Sequence, residues 1–205
     1  MGATGSENFE PGKRWGFFPA VAAGWVISKE KFMEGMDFFS LLKLRASYGS
    51  TGNDAIYQDR FGYLTYLESG NGISFGSSPQ FYGGNYARVI GTEDLTWETS
   101  HKSNVGLDVG IANVINLTVD VFKDRRKDIL IQRRSISSIG GFGESFIFSN
   151  MGEMVNKGVD GSVEYNARIG RDISLRLFGN LTYARNNIVF ADNPKFLYDY
   201  QQPEG

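Results

Sequence analysis

Eight charged residues of this chain are the ones best placed to do ionic chemistry: Lys43, Arg45, Asp108, Asp120, Asp160, Glu164, Arg168 and Arg176. Two carboxylates about 5–10 Å apart can hydrolyse a glycosidic bond, one as the acid and the other as base or nucleophile. All eight, however, fall in the polar half of alternating apolar–polar runs, so they share one face with charges of both signs. A water-filled wall of mixed charge accounts for that face without catalysis, and no catalytic residue is assigned. The lone histidine, His101, has no His or Cys partner at metal-ligand spacing. Cysteine is absent, which excludes a disulfide framework and thiol catalysis. No metal site and no cofactor is expected.

Other motifs are weaker. KDRRK at 123–127, followed by Arg133 and Arg134, has the composition to neutralise phosphates. A formal net charge of −2 with a pI of about 5.5 argues against a general nucleic-acid surface. GGFG at 140–143 lacks the Lys-Ser/Thr ending and following helix of a phosphate loop. The richest candidate ligand surface lies in 52–95, where Tyr63, Tyr66, Phe81, Tyr82 and Tyr86, with Tyr57, Phe61 and Phe75, are interspersed with amides and charges. Aromatic faces beside polar groups suit ligands with both apolar and hydroxylated faces, as sugars have. The competing reading is that these rings pack the loop on itself or against a partner lid.

The elements that must position these residues are legible from period-two alternation. Val159, Gly161, Val163, Tyr165 and Ala167 take one face of a first run. After a Gly170-Arg171-Asp172 turn, Ile173, Leu175, Leu177, Gly179, Leu181 and Tyr183 take the same face of a second. Strands of about ten residues exceed the usual five or six and match the roughly 9–11 needed by a tilted strand crossing a bilayer. No apolar run reaches 18 residues, so no transmembrane helix is expected, and 1–13 carries no export signal.

Taken in order, 1–13 reads as loop and 14–30 as a first strand with Val21, Ala23 and Trp25 on one face, which Pro19 would demote to an edge or a strand end in a soluble sheet. Residues 29–39 form a turn with a trace of helix. A second strand over 40–53 puts Leu42, Leu44, Ala46 and Tyr48 outward. Residues 52–95 lack sustained periodicity and read as a long loop. A third strand runs near 97–110 (Val105, Leu107, Val109 outward), and Ala112-Asn113 turns into a fourth over 116–131 (Leu117, Val119, Val121 outward). Residues 132–152 read as another long loop, and the tail from about Val189 as one more. Short turns thus alternate with long loops, as in outer-membrane barrels. Aromatics fall at strand ends, with Trp25, Phe38 and Tyr165 in one belt and Tyr48, Trp97 and Tyr183 in the other. The expected fold is all-β, an antiparallel up-and-down transmembrane barrel, here an incomplete segment of about six long strands with long extracellular loops. The rival is a soluble β-sandwich.

Several runs also resemble one family, the SusC/RagA-type TonB-dependent outer-membrane transporters of Bacteroidetes. They are RWGFFPAVAAGWVISKEKFM (14–33), LLKLRASYGSTGND (41–54), LTWETSHKSNVGLDVGI (95–111), LTVDVFKDRRKDIL (117–130) and NMGEMVNKGVDGSVEYN (150–166). The resemblance implies that 1–205 is part of one barrel domain of about 22 strands, without its plug, signal peptide and final strands. It implies an outer-membrane importer of glycans, peptides or similar nutrients, with no enzymatic activity. The implied partners are a SusD-like surface lipoprotein, the TonB complex through the plug, and outer-membrane lipid and lipopolysaccharide, which the basic run would meet where the fourth strand leaves the membrane. Two alternatives from other classes are an outer-membrane barrel enzyme and a soluble carbohydrate-binding sandwich.

Overall fold

The chain was examined as a computed structural model, which describes residues 2–36, 38–55, 60–77, 80–92, 94–136, 146–170, 172–194, 197–198 and 201. Six strands form the wall: β3 (Ala20–Val26), β4 (Phe39–Asn53), β7 (Glu98–Ile111), β8 (Ile115–Gln132), β9 (Phe146–Ile169) and β10 (Ile173–Phe190). Each is antiparallel to the next in that order, so the expected up-and-down succession holds across the wall. The sheet curls into part of a barrel. Of the six, only β3 is short, at 7 residues.

Register carries the apolar face from strand to strand without a break. One row joins Ala23, Ala46, Val105, Val121, Val159 and Tyr183; the next joins Trp25, Leu44, Leu107, Val119, Gly161 and Leu181. Because side chains alternate strictly, a slip of one residue in any strand would break both rows. Most of these apolar side chains are exposed, Leu181 at 76 % and Leu177 at 55 %, an arrangement that water would penalise and lipid would not. On β10 the apolar strip from Ile173 to Tyr183 spans ten residue steps, about 34 Å along a strand. Tilted by about 45°, it covers roughly 24 Å, the height of a lipid-facing band.

The short connections follow from backbone chemistry. Ala112 and Asn113 both take positive φ, at 51° and 56°, which is the twist a tight hairpin between β7 and β8 requires. Gly170, at φ 68°, opens the β9–β10 turn. Between β3 and β4 lie two single 3-10 turns, Ile27–Lys29 and Lys31–Met33.

Four expectations are corrected. The first strand divides at Pro19 into β2 (Trp15–Phe18) and β3, because proline offers no N–H to the ladder. Residues 1–13 contain β1 (Gly2–Gly5), paired with β2 as a separate small sheet. Residues 52–95 contain a hairpin, β5 (Tyr66–Phe75) and β6 (Gln80–Ile90), and β6 meets β9 in a two-residue parallel pairing. The stretch 132–152 contains the start of β9, from Phe146; its residues 137–145, and with them the 140–143 glycine motif, lie outside the described residues.

Candidate functional site

The β5–β6 hairpin stands at the long-loop end of the wall and carries most of the aromatic candidates. Along β6, Tyr82, Gly84 and Tyr86 take alternate positions, and Arg88 sits in a bulge where two residues of β6 face one of β5. Across the ladder Tyr86 is opposite Glu68 and donates its hydroxyl to that carboxylate at 3.2 Å. Arg88 reaches the other oxygen of Glu68 at 3.1 Å. The carboxylate thus holds a phenol and a guanidinium side by side, while Tyr82 remains 56 % exposed. The ring of Tyr86 lies over Gly70. This ledge offers ring edges, a cation and hydroxyls on one surface, a set suited to polyhydroxylated or peptide ligands.

Of the five residues picked from sequence, Phe81, Tyr82 and Tyr86 lie on β6 and Tyr66 begins β5, with Tyr82 and Tyr86 four residues apart along their strand. Tyr63 and Tyr66 sit at the hairpin's foot. Tyr66 donates to the Arg60 carbonyl at 2.7 Å, and Tyr63 packs edge-on against Phe61 at 6.2 Å between centroids. Phe81 is placed in β6 opposite Ser74. Tyr57 lies outside the described residues. Glu68 and Arg88 were missed, because what joins them to Tyr86 is the cross-strand register of β5 and β6.

A small core joins the N-terminal segment to the wall. Phe9, Leu95 and Trp97 are buried, with Phe18 and Leu130 packed against them. Trp97 meets Phe9 at 5.0 Å and Phe18 edge-on at 5.5 Å. Trp97 was expected in an exposed aromatic belt; burial among these rings corrects that. Gly52 is required here, since a Cβ on it would stand 1.9 Å from the Phe18 ring. Asn150 closes the seam, accepting from the Thr96 amide at 3.1 Å and donating to the carbonyls of Thr96 and Asp128 at 3.0 and 2.7 Å.

Beside it is a cleft of about 350 Å³ lined by Leu130, Gln132, Arg134, Phe148, Asp192 and others. Asp192 accepts from Arg133 and Ser135, each at 2.7 Å. Its burial alone would raise the carboxyl pKa, but the Ser135 and Arg133 hydrogen bonds outweigh it and hold the group below the usual range.

On the polar face of the wall, Arg45 forms a fork with Asp108, two bonds of 2.9 Å, and reaches Asp120 at 3.0 Å. Asn104 donates to the other Asp120 oxygen at 2.9 Å. Gly106 lies in register between Arg45 and Asp120, and a Cβ there would stand 2.3 Å from the carboxylate, so only a bare backbone lets the guanidinium cross β7. Glu164 is paired with Arg176 at 2.6 Å. Asp108, Asp120 and Glu164 are therefore held by arginines as cross-strand ties. Among the described residues no group of three or more His, Cys, Asp or Glu could hold a metal ion.

An apolar face in unbroken register, a polar face tied by arginines and a long-loop end carrying an aromatic hairpin describe a wall between lipid and water. Residues 2–203 match the family profile "TonB dependent receptor-like, beta-barrel". The chain belongs to this family. Among similar receptors, TonB-dependent receptor P39 of Formosa agariphila is 32% identical over 203 residues, covering 94% of this chain and 18% of that protein. TonB-dependent receptor SusC of Bacteroides thetaiotaomicron is 31% identical over 187 residues, covering 90% and 18%. The solved RagAB peptide importer in its closed-closed state superposes with a TM-score of 0.72 at 27% identity, over 89% of this chain and 19% of that one. This TonB-dependent receptor chain is thus a SusC/RagA-type barrel segment and an outer-membrane protein. It spans about one fifth of the length of these relatives.

Proposed function

We infer that the chain is a stretch of barrel wall in a TonB-dependent importer, within a single barrel domain, and that the importer takes up glycans or peptides. In this reading a SusD-like lipoprotein covers the extracellular end, the TonB complex supplies energy through a plug, and no covalent chemistry occurs. The observation that carries it is the β5–β6 ledge, with Tyr82, Tyr86, Arg88 and Glu68 gathered at the long-loop end of a wall with one lipid-suited face. One solved neighbour is described as a peptide importer, which supports the peptide class.

The test is uptake by the full-length protein with Tyr63, Tyr66, Phe81, Tyr82 and Tyr86 replaced by Ala, assayed on oligosaccharide and oligopeptide panels. Reduced uptake with an unchanged amount of assembled barrel supports the ledge as a substrate or lid surface. Unchanged uptake kinetics would return the rings to packing. Repeating the assay with Tyr82→Ala and Tyr86→Ala alone separates the ledge from the hairpin's foot.

A further inference from the structure

The lipid-suited face ends at the long-loop side in a row of cations. Directly above the apolar row of Val121, Val159 and Tyr183, register places Lys123, Lys157 and Arg185 opposite one another on three neighbouring strands. All three share the outward face of the apolar residues by strict alternation. Like charges directly opposite across strands are destabilising, and none of the three has an ion-pair partner among the described residues. The outward carboxylate nearby, Glu153, is already taken by Arg125. All three cations are exposed. They stand two residues, about 7 Å along each strand, beyond the apolar strip, on the side where lipid headgroups lie.

Below this row the same face is hollow. A groove of about 350 Å³ is lined by Leu117, Gly161, Val163, Gly179 and Leu181. A Cβ on Gly161 would meet nothing nearer than 3.9 Å, and one on Gly179 nothing nearer than 3.6 Å. The two glycines therefore leave space where side chains would fit. It lies four residues down β9 from Lys157, about 14 Å along the strand.

We propose that this face is a binding site for a phosphorylated lipid of the outer leaflet, its headgroup phosphate held by Lys123, Lys157 and Arg185 and one acyl chain seated in the Gly161–Gly179 groove. The phosphate relieves the mutual repulsion of the cations. The groove supplies an apolar contact that a soluble anion cannot use, so the occupant is a lipid.

The experiment uses the full-length transporter in phosphatidylcholine vesicles containing a minor fraction of a fluorescent monophosphorylated disaccharide glycolipid. Retention of the probe by the protein is read by energy transfer. Each cation near an anionic headgroup is worth roughly a fivefold change, so the K123Q/K157Q/R185Q variant should retain the probe at least about tenfold less well than the parent. Lys43→Gln, on the opposite face, should change nothing. Gly161→Val with Gly179→Leu should weaken retention separately, each buried methylene being worth about fourfold. In pure phosphatidylcholine the triple variant should be no less heat-resistant than the parent, because like-charge crowding has been removed. Equal retention by parent and triple variant, displacement of the probe by millimolar inorganic phosphate, or a loss of heat resistance by the triple variant in pure phosphatidylcholine would each overturn the proposal.

Discussion

Moving a charge onto either face of β10 should separate the lipid side of the wall from its water side by more than a factor of ten. Leu177 lies opposite Tyr165 near the middle of the apolar strip, four residues from Ile173 and six from Tyr183. Arg at the bilayer midplane on a lipid-facing strand costs about 2–4 kcal/mol, equivalent to a roughly 30- to 900-fold shift in the folding equilibrium. Its neighbour Arg176 points the other way and pairs with Glu164 at 2.6 Å, with its own side chain 70% exposed. Losing an exposed pair of that kind costs about 0–1 kcal/mol. Leu177→Arg in the full-length protein should therefore lower the urea midpoint for folding into phosphatidylcholine vesicles markedly, while Arg176→Leu leaves it almost unchanged. Heat-resistant compact migration in detergent reports the folded fraction. Equal penalties for the two variants, or a silent Leu177→Arg, would refute the assignment of faces.

Three further outcomes follow from particular contacts. Gly106→Ala should separate Arg45 from Asp120, and Arg45→Lys should lose the Asp108 fork; each is expected to destabilise by about 1.5–3 kcal/mol in the same urea titration. Gly52→Val drives a side chain into the Phe18 ring and should loosen the N-terminal segment packed there, seen as faster proteolysis within residues 2–18, with the wall still assembling. Asp192 has a lowered folded-state pKa, so its clamp on Arg133 and Ser135 contributes fully above the unfolded value of about 3.9 and is lost as pH falls through the folded value. Protection of 191–194 against hydrogen exchange should be greater in the parent than in Asp192→Asn at pH 7, and the difference should close below about pH 4.

What the sequence disclosed divides at the membrane surface. The alternation of Val159 to Ala167 and of Ile173 to Tyr183 is strict because one face of those strands meets lipid and the other water. Their pairing and the alternation of their faces are found as read. The β5–β6 hairpin and the first ten residues of β9 stand beyond the apolar rows, where both faces meet polar surroundings, and the period-two signal fades. Gly70, Gly72, Gly83 and Gly84 remove it further from the hairpin. Trp97 looked like a belt residue by position alone; that Phe9 and Phe18 would close over it depends on a fold-back of β1 and β2 that no local pattern signals. The aromatic candidates were legible by composition alone, whereas the carboxylate and guanidinium beside Tyr86 depend on cross-strand register.

The central claim is that the exposed apolar rows face lipid. It is tested most directly by placing a single cysteine at 176 and then at 177 of this cysteine-free stretch, in a full-length protein with any cysteine outside the stretch replaced by serine, attaching a fluorophore, and adding a lipid-phase quencher to the vesicles. Strong quenching is expected at 177 and little at 176. Equal quenching at both positions, or none at either, would contradict it.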